Sequence, residues 1–263
     1  MTIENVSDTA RWVAVYRAME TARPDAIFRD PYADRLAGEK GRAIVKTMKS
    51  AGDMAWAMIV RTAVMDEIIM DRIRNAGVDT VLNLAAGLDA RAWRLPLPPS
   101  LHWIDVDLPG MTEYKASHMK GETPVCRYEA IAADLTDAAI RDALFSQIGQ
   151  SARTMLVISE GLLIYLDEGE VRSLATALHD MPSARWWIAD LASPQLLQWM
   201  AKSWGKTVAE GNAPFKFGPA DSREFFASVG WRELEFHSTM EDARRLKRET
   251  FKRFSGTVLL ERQ

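Results

Sequence analysis

Apolar residues recur every three or four positions over two stretches in the first third of the chain. The first stretch runs from Thr9 to Glu20 and ends before Pro24, and the second runs from Met54 to Asn75. This spacing predicts two amphipathic helices, and Gly77 stands where a C-terminal cap of the second helix would lie. We interpret residues 1–77 as a helical extension or lid over a larger domain at 78–263, the two forming one structural unit.

From Asp79 onward, short apolar runs alternate with amphipathic stretches. The runs predict seven strands, at Thr80–Leu84, Leu101–Val106, Val125–Ala132, Thr154–Ile158, Arg185–Asp190, Trp231–His237 and Thr257–Glu261. The stretches between them predict helices at Pro109–Lys120, Thr136–Ile148, Glu168–His179, Ser222–Ser228 and Glu241–Phe254. Such alternation is typical of an α/β fold, here a seven-stranded, mostly parallel sheet with helices on both faces.

Three details of the pattern make finer predictions. Residues 154–158 are apolar throughout, as in a central parallel strand, whereas the last strand is predicted to lie at the edge of the sheet beside the sixth. Thr136 is predicted to cap the helix that follows it. The segment from Ser193 to Asp221 contains several aromatic residues, and we interpret it as an insertion that forms a lid or pocket wall.

Composition excludes several classes of protein. The chain has 263 residues with 48% hydrophobic and 26% charged side chains and a formal net charge of −3, which argues against disorder and against binding to a nucleic-acid backbone. Cys126 is the only cysteine and the four histidines lack metal-ligand spacing, so we expect no internal disulfide and no metal site. No apolar run approaches the roughly 20 residues that a bilayer requires, and no leader pattern is visible at the start. We expect a cytoplasmic protein.

Polar residues follow the first three predicted strands. Gly87 lies in the loop after the first strand, Asp107 ends the second strand 20 residues later, and Asp134 follows the third. Because ligands bind at the carboxyl ends of parallel strands, these residues are expected to share one site. Their spacing is the one at which an acid reaches a ribose hydroxyl, although a helix N-cap before Pro109 explains Asp107 about equally well.

The loop after the first strand distinguishes between cofactors. A dinucleotide site uses three glycines for close approach to a pyrophosphate, and the three positions here hold Ala85, Gly87 and Ala90. S-adenosylmethionine carries no phosphate; it needs a close backbone approach, an acid for its ribose and a polar group, such as Asp134, for its adenine amine. The residues therefore favour S-adenosylmethionine over NAD.

Several motifs together resemble a known family. They are the runs Leu82–Arg91, Asp105–Pro109, Glu160–Leu166, Tyr16–Ala18, Asp30–Tyr32 and Arg61–Thr62. In these runs the chain resembles the leucine carboxyl methyltransferase family, and more closely its bacterial branch of S-adenosylmethionine-dependent O-methyltransferases, over roughly residues 9–166. The resemblance implies a class I methyltransferase fold with a mainly helical N-terminal extension over the cofactor.

The resemblance also implies roles for residues around the amino-acid part of the donor. Arg61 is expected to pair with the methionine carboxylate, and Arg17 to assist from the N-terminal helix. Glu160, which follows the fourth predicted strand, is expected to face the donor's amino group or the reaction centre.

The nucleoside part of the donor is assigned in the same way. Gly87 is expected under the donor, Asp107 on the ribose, and Asp134 with Leu135 around the adenine. Ala85 replaces the first glycine of the family's loop, so either its methyl group narrows the space for the donor or the backbone there does not need a positive φ.

A second departure lies two residues before the ribose acid, where the family's usual Glu is Asp105. The candidates for catalysis are Glu160, Tyr165 and His237, although core packing explains Tyr165 and a surface position explains His237 more simply. Since a carboxylate is ionised at neutral pH and needs no base, the lack of a clear base favours a carboxyl acceptor over a phenol.

We therefore predict an S-adenosylmethionine-dependent O-methyltransferase that acts on a small molecule or biosynthetic intermediate, with an aromatic or apolar acceptor favoured by the tryptophans near the insertion. The oligomeric state is left open. Two alternatives remain: an NAD-dependent oxidoreductase, which the missing glycines disfavour, and a catalytically inactive protein of the same fold that serves as a binding or regulatory partner, which Ala85 and Asp105 keep open.

Overall fold

A computed structural model describes residues 7–47, 51–210, 214–248 and 255–263 of the chain. Its longer helices are α1 (Ser7–Thr21), α2 (Ala33–Thr47), α3 (Ala51–Asn75), α5 (Pro109–His118), α6 (Ala138–Ser151), α7 (Glu168–His179) and α8 (Pro194–Glu210). Shorter helices are α4 (Arg91–Arg94), α9 (Ser222–Ala227) and α10 (Thr239–Arg245). None of the helices in these ranges is long and apolar enough to cross a membrane.

The strands form a single seven-stranded sheet within the described residues. They are β1 (Thr80–Leu84), β2 (His102–Asp107), β3 (Arg127–Ala132), β4 (Met155–Ser159), β5 (Ala184–Ala192), β6 (Trp231–Ser238) and β7 (Ser255–Arg262). Their order is β3-β2-β1-β4-β5-β7-β6, with β1 to β5 parallel and β7 antiparallel to both of its neighbours. The predicted α/β class and mostly parallel sheet are confirmed, and β4 is buried throughout as a central strand should be.

The prediction that the last strand lies at the sheet edge is wrong. β7 lies between β5 and β6, and the edge strand is β6. The sequence carries a signal for this arrangement, because Val258, Leu259 and Leu260 are consecutive apolar residues and all are fully buried, as in a strand covered on both faces. Burial along β6 alternates instead, as expected of a strand with one exposed face.

Two helix predictions also need correction. The N-cap of α6 is Asp137, whose Oδ1 accepts hydrogen bonds from the backbone N–H groups of Ala139 and Ile140 at 3.0 and 3.1 Å. Thr136 does not cap the helix because its hydroxyl donates to Asp134 Oδ1 at 2.7 Å. The helix predicted at Glu241–Phe254 is α10, which ends at Arg245, and residues 249–254 of that prediction lie outside the described residues.

The N-terminal helices pack on one face of the sheet and on each other. The predicted apolar face of α3 is buried, at Val60, Val64, Ile68, Ile69 and Ile73. Helix α2 was not predicted, because two glycines interrupt its pattern. Gly38 breaks the helix with a φ of +61°, and a Cβ on Gly41 would lie 2.9 Å from the carbonyl oxygen of Arg11, so the glycine lets α2 approach α1 closely.

Candidate active site

The carboxyl ends of β1, β2, β4 and β5 open into a cavity of about 550 Å³. This volume lies within the range of small-molecule sites, roughly 300–1,000 Å³. Helices α1, α3 and α8 and the segment at 214–216 supply further walls. The structure brings nine of the predicted site residues into the lining: Arg17, Arg61, Ala85, Gly87, Asp107, Asp134, Leu135, Glu160 and Tyr165.

The loop after β1 is held against the end of β2. The backbone N–H of Gly87 donates to Asp107 Oδ2 at 2.6 Å, and the N–H of Leu108 donates to Asp107 Oδ1 at 2.7 Å. Burial raises the pKa of Asp107 above its usual value, while these two hydrogen bonds act in the opposite direction. The 20-residue spacing therefore joins the loop and the acid directly at the cavity.

Ala85 adopts a left-handed backbone conformation. Its φ is +49°, and that of Gly87 is +52°. The explanation that the backbone at Ala85 does not need a positive φ is therefore wrong: the loop keeps the conformation that a glycine would favour and places an alanine in it, which costs about 1–2 kcal/mol. Ala85 itself lines the cavity.

Helix α1 lies directly against this loop. A Cβ on Gly87 would stand 3.1 Å from the Cβ of Ala10, a tight contact, and the φ of +52° at this position also favours a glycine. Arg17, also on α1, donates to the carbonyl oxygen of Leu88 at 2.5 Å and to the buried Asp30 Oδ2 at 2.9 Å. The motifs around Arg17 and Asp30 therefore fasten the N-terminal helix to the loop.

The third strand contributes an exposed acid. Asp134 Oδ1 accepts hydrogen bonds from the N–H and the hydroxyl of Thr136, at 2.9 and 2.7 Å. This Asx-type turn fixes the carboxyl group beside the half-buried Leu135 at the cavity edge.

A network of ion pairs forms the floor of the cavity between β1 and β5. Arg61, on α3, donates from Nε to Glu160 Oε1 at 3.0 Å and from Nη1 to Asp190 Oδ2 at 2.7 Å. Asp190 Oδ1 accepts the backbone N–H of Gly161 at 2.6 Å, which ties β5 to the turn after β4. The predicted Arg61 and Glu160 are therefore direct partners.

Arg91 extends this network beneath the loop. Its side chain is 2% exposed and bonds to Asp66, Asp89 and Glu160 at distances of 2.6 to 2.7 Å. Burial alone would raise the pKa of Glu160, but the charges of Arg91 and Arg61 lower it to about 2. Sequence analysis missed Arg91 and Asp190 as site residues, because nothing in their local sequence shows that distant carboxylates and cations converge on them.

Asp105 lies under the site and does not reach into it. Its Oδ1 accepts hydrogen bonds from Asn83 and Trp103, and its Oδ2 accepts from Lys115 and Tyr128, at distances of 2.6 to 3.0 Å. With four donors, this buried carboxylate is well satisfied. Its side chain therefore joins β1, β2, β3 and α5 beneath the cavity.

The two remaining catalytic candidates differ in position. Tyr165 lines the cavity, packs on Phe215 with ring centroids 5.6 Å apart and is hydrogen-bonded to Thr9; burial raises its pKa to about 12. His237 is not among the lining residues: its ring lies between Glu235, at 3.1 Å, and Asp242, at 3.5 Å, near the sheet edge. The structure therefore does not place His237 where a base would act.

A family model decides the relationship of this chain to known proteins. The model described as leucine carboxyl methyltransferase matches residues 10–179. The chain belongs to the leucine carboxyl methyltransferase family. The match contains most of α1, the loop after β1, and the carboxyl ends of β1 to β4, so it covers the cavity lining that these elements supply.

Individual relatives agree with this family assignment. A Mycobacterium marinum protein named "Putative S-adenosyl-L-methionine-dependent methyltransferase" is 34% identical over 196 residues, which is 65% of this chain and 59% of that protein. A Streptomyces coelicolor protein with the same type of name is 32% identical over 188 residues, 67% of this chain and 65% of its own length. The matched regions thus span about three fifths of these relatives.

Solved structures of other proteins show the same fold. A DUF574 family protein from Streptomyces avermitilis superposes with a TM-score of 0.63 at 15% identity, over 95% of this chain and 97% of that one. The magnesium protoporphyrin IX methyltransferase of Synechocystis, solved with bound SAH, gives a TM-score of 0.51 at 14% identity, over 79% and 86% of the two chains. The fold of the family member described here is the class I methyltransferase fold.

Proposed function

We propose that this member of the leucine carboxyl methyltransferase family binds S-adenosylmethionine and transfers its methyl group to an oxygen atom of an apolar small molecule. The observation that carries the proposal is the pair formed by Gly87 and Asp107 at the cavity, with Arg61 in the same lining. Gly87 allows the backbone to approach the donor closely, Asp107 supplies an acid for its ribose, and Arg61 supplies a cation for its carboxylate. These are the groups that this donor needs. The names of the relatives and the SAH in the Synechocystis structure support the same cofactor.

The residues present fit an adenosyl donor. Gly87 lies where the loop packs tightly against α1. Gly161, with a φ of +67°, likewise leaves the backbone next to Arg61 without a side chain. Asp107 would hold the ribose, Asp134 and Leu135 the adenine, and Arg61 the methionine carboxylate. Glu160 and Asp190 would face the amino group.

The charge of the cavity favours this donor over a dinucleotide. Six carboxylate residues belong to the described lining, at Asp89, Asp107, Asp134, Glu160, Glu170 and Asp190, whereas the cationic residues are Arg17, Arg61 and Lys216. A net negative lining attracts a sulfonium and repels a pyrophosphate. The helix after the loop, α4, spans only Arg91–Arg94 and offers little of the helix dipole on which phosphate sites rely.

When bound, S-adenosylmethionine supplies a methyl group on a positively charged sulfur, so that the acceptor oxygen's electron pair forms the new O–C bond while the C–S pair returns to sulfur. The protein's share of the reaction is alignment and exclusion of water, which can contribute about 7–11 kcal/mol. The described walls of α1 and α8 supply apolar side chains for this, among them Trp12, Tyr16, Leu196 and Met200.

The available side chains favour an acceptor that is ionised before it binds. No histidine belongs to the described lining. Glu160, with a pKa of about 2, is a poor base, and Tyr165, with a pKa of about 12, stays protonated at neutral pH. A carboxylate needs no deprotonation, so we propose a carboxylic acid as the first acceptor class and an acidic phenol as the second.

Calorimetric titration of the intact protein with S-adenosylhomocysteine, S-adenosylmethionine and NADH tests the cofactor. Micromolar binding of the first two, without the third, is the expected result. Methyl transfer from radiolabelled donor to a panel of apolar carboxylic acids and phenols then tests the reaction. Binding of NADH alone would overturn the proposal, and donor binding without turnover of any acceptor would favour the non-catalytic alternative.

A further inference from the structure

The cavity extends well beyond the part that the family match covers. Its lining continues from the loop after β1, past β4 and β5, to Ser255, Gly256 and Thr257 on β7. In the order β1-β4-β5-β7, three strand spacings of about 4.8 Å separate β1 from β7, a distance of roughly 14 Å. If the proposed donor occupies the ends of β1, β2 and β3, the region over β5 and β7 belongs to the acceptor.

Thr257 is a buried polar residue in this second region. It is 3% exposed and lines the cavity, and its hydroxyl has no hydrogen-bond partner in the part of the chain that the structure describes. In the β5–β7 register it stands opposite Asp190, and it shares its face of β7 with Leu259 and Ser255. Because Thr257 lines the cavity, its hydroxyl is open to a hydrogen bond with a ligand there.

Two further hydroxyl groups lie beside it. Thr239, at the start of α10, is 6% exposed, and its Oγ1 lies 2.9 Å from Ser255 Oγ. Both residues line the cavity. Because each hydroxyl can donate one proton and accept two, this pair retains hydrogen-bonding capacity next to Thr257. We call Thr239, Ser255 and Thr257 the hydroxyl wall.

The surroundings of the hydroxyl wall select the kind of group that it can bind. The carboxylate of Asp190 lies opposite Thr257, and its oxygens already accept hydrogen bonds from Arg61 and Gly161. A second carboxylate of the acceptor would be repelled by Asp190, and a cation on the acceptor would compete with the donor's amino group for the same carboxylate. A neutral hydroxyl group meets neither penalty and can exchange hydrogen bonds with Thr257.

The hydroxyl wall continues into an apolar chamber. Ser255 pairs in register with Ala192, which belongs to a cluster with Trp12, Tyr16, Leu196 and Met200. A ligand that reaches the wall therefore lies against aromatic and aliphatic side chains along its length. Such a pocket, apolar with a few placed polar groups, is typical of sites that recognise small organic molecules.

We propose that the hydroxyl wall, with Thr257 at its centre, binds a neutral hydroxyl group that an apolar acceptor carries at a distance from the oxygen to be methylated. The substrate class is thus a hydroxylated, otherwise apolar acid or phenol. The inference rests on the proposed function for the position of the donor. It makes Thr257 a specificity-determining residue.

Paired probes test this assignment without any need for turnover. Calorimetry on the protein saturated with S-adenosylhomocysteine compares 4′-hydroxybiphenyl-4-carboxylate with biphenyl-4-carboxylate, and 12-hydroxydodecanoate with dodecanoate. In at least one pair we expect the hydroxylated member to bind about fivefold to tenfold more tightly, the effect of one neutral hydrogen bond. In Thr257→Val, which keeps the shape, the preference should fall below twofold, and Thr257→Ser should restore it.

The same measurements separate the two proposals. Affinity for S-adenosylhomocysteine in wild type is determined first, and its absence would defeat the proposed function itself. With that affinity intact in both proteins, an equal preference in wild type and Thr257→Val overturns the assignment of the hydroxyl wall. A lack of preference in wild type for both pairs, or no binding of any probe, overturns it as well.

Discussion

Arg61 and Asp190 are 129 residues apart in sequence, and their side chains meet at 2.7 Å at the floor of the cavity. The contact joins α3, from the N-terminal extension, to the carboxyl end of β5. Because Asp190 also holds the N–H of Gly161, one carboxylate fixes both the guanidinium and the turn after β4. The geometry of Arg61, which we propose to face the donor, thus depends on a residue outside the loop motifs.

Arg61→Lys is predicted to weaken binding of S-adenosylhomocysteine about tenfold. A lysine keeps the charge near Glu160 and Asp190 but loses the planar fork that can bind a carboxylate with two hydrogen bonds. Binding of 5′-methylthioadenosine, which lacks the amino-acid part, should change less than twofold. Calorimetry with both ligands checks this, and an equal loss for the two would show that Arg61 does not contact the carboxylate.

Asp107→Ala should weaken both of these ligands, because each contains the ribose. We expect a loss of about 1–3 kcal/mol, from the charge-assisted hydrogen bonds to the ribose hydroxyls and from the freed N–H of Gly87. Asp107→Asn, which keeps one acceptor oxygen, should lose less. Circular dichroism serves as the folding control, and full affinity in a folded Asp107→Ala protein removes this residue from the site.

Acid stability is predicted to depend on Glu160. Its pKa in the folded protein is about 2, below the value of about 4.5 expected when unfolded. A lowered pKa in the folded state means that the carboxylate stabilises the fold above pH 4.5 and that this stabilisation is lost as the pH falls toward 2. Between pH 5 and pH 3 the loss from this group is on the order of 2 kcal/mol.

Urea unfolding at pH 5, 4 and 3 measures that loss. Glu160→Gln should show a correspondingly shallower decline than wild type, although it is less stable at neutral pH because Arg91 loses a charged partner. Glu113→Gln, an exposed substitution on α5, is the matched control and should decline as wild type does. Parallel declines in all three proteins would contradict the role given to the ion-pair network.

Ala85→Gly should stabilise the protein. The positive φ at this position costs an alanine about 1–2 kcal/mol, and part of that gain is offset by the greater freedom of glycine in the unfolded chain. We expect a net increase of about 0.5–1 kcal/mol in the free energy of unfolding. Ala143→Gly, at an exposed position inside helix α6, is the control and should lower it by about 1 kcal/mol.

Much of the donor side could be predicted from sequence because its residues lie in short local motifs. The loop after β1 and the ends of β2 and β3 each place a polar residue after an apolar strand, and the topology then brings Gly87, Asp107 and Asp134 to one edge. The family resemblance added Arg61 and Arg17, which no strand pattern indicates. All five line the cavity.

The remaining features depend on contacts between distant segments. The local sequence around Arg91 suggests its neighbour Asp89 as a partner but does not reveal Asp66 and Glu160. The positive φ of Ala85 contradicts the ordinary preference of alanine, so no local propensity predicts it. His237 lies near the carboxyl end of β6, the strand end at which a site residue is expected, but β7 separates β6 from β5.

The position of β7 determines the order in which the site is assembled. In the described sheet, β6 is hydrogen-bonded to β7 alone, yet it is synthesised before β7. β6 therefore has no strand to join until β7 has inserted beside β5, and its edge stays available for unwanted pairing during that interval. Ser255 and Thr257 arrive with the same strand. The nascent chain thus contains the strands at the β1 and β2 end of the cavity before it contains the strand at the β7 end.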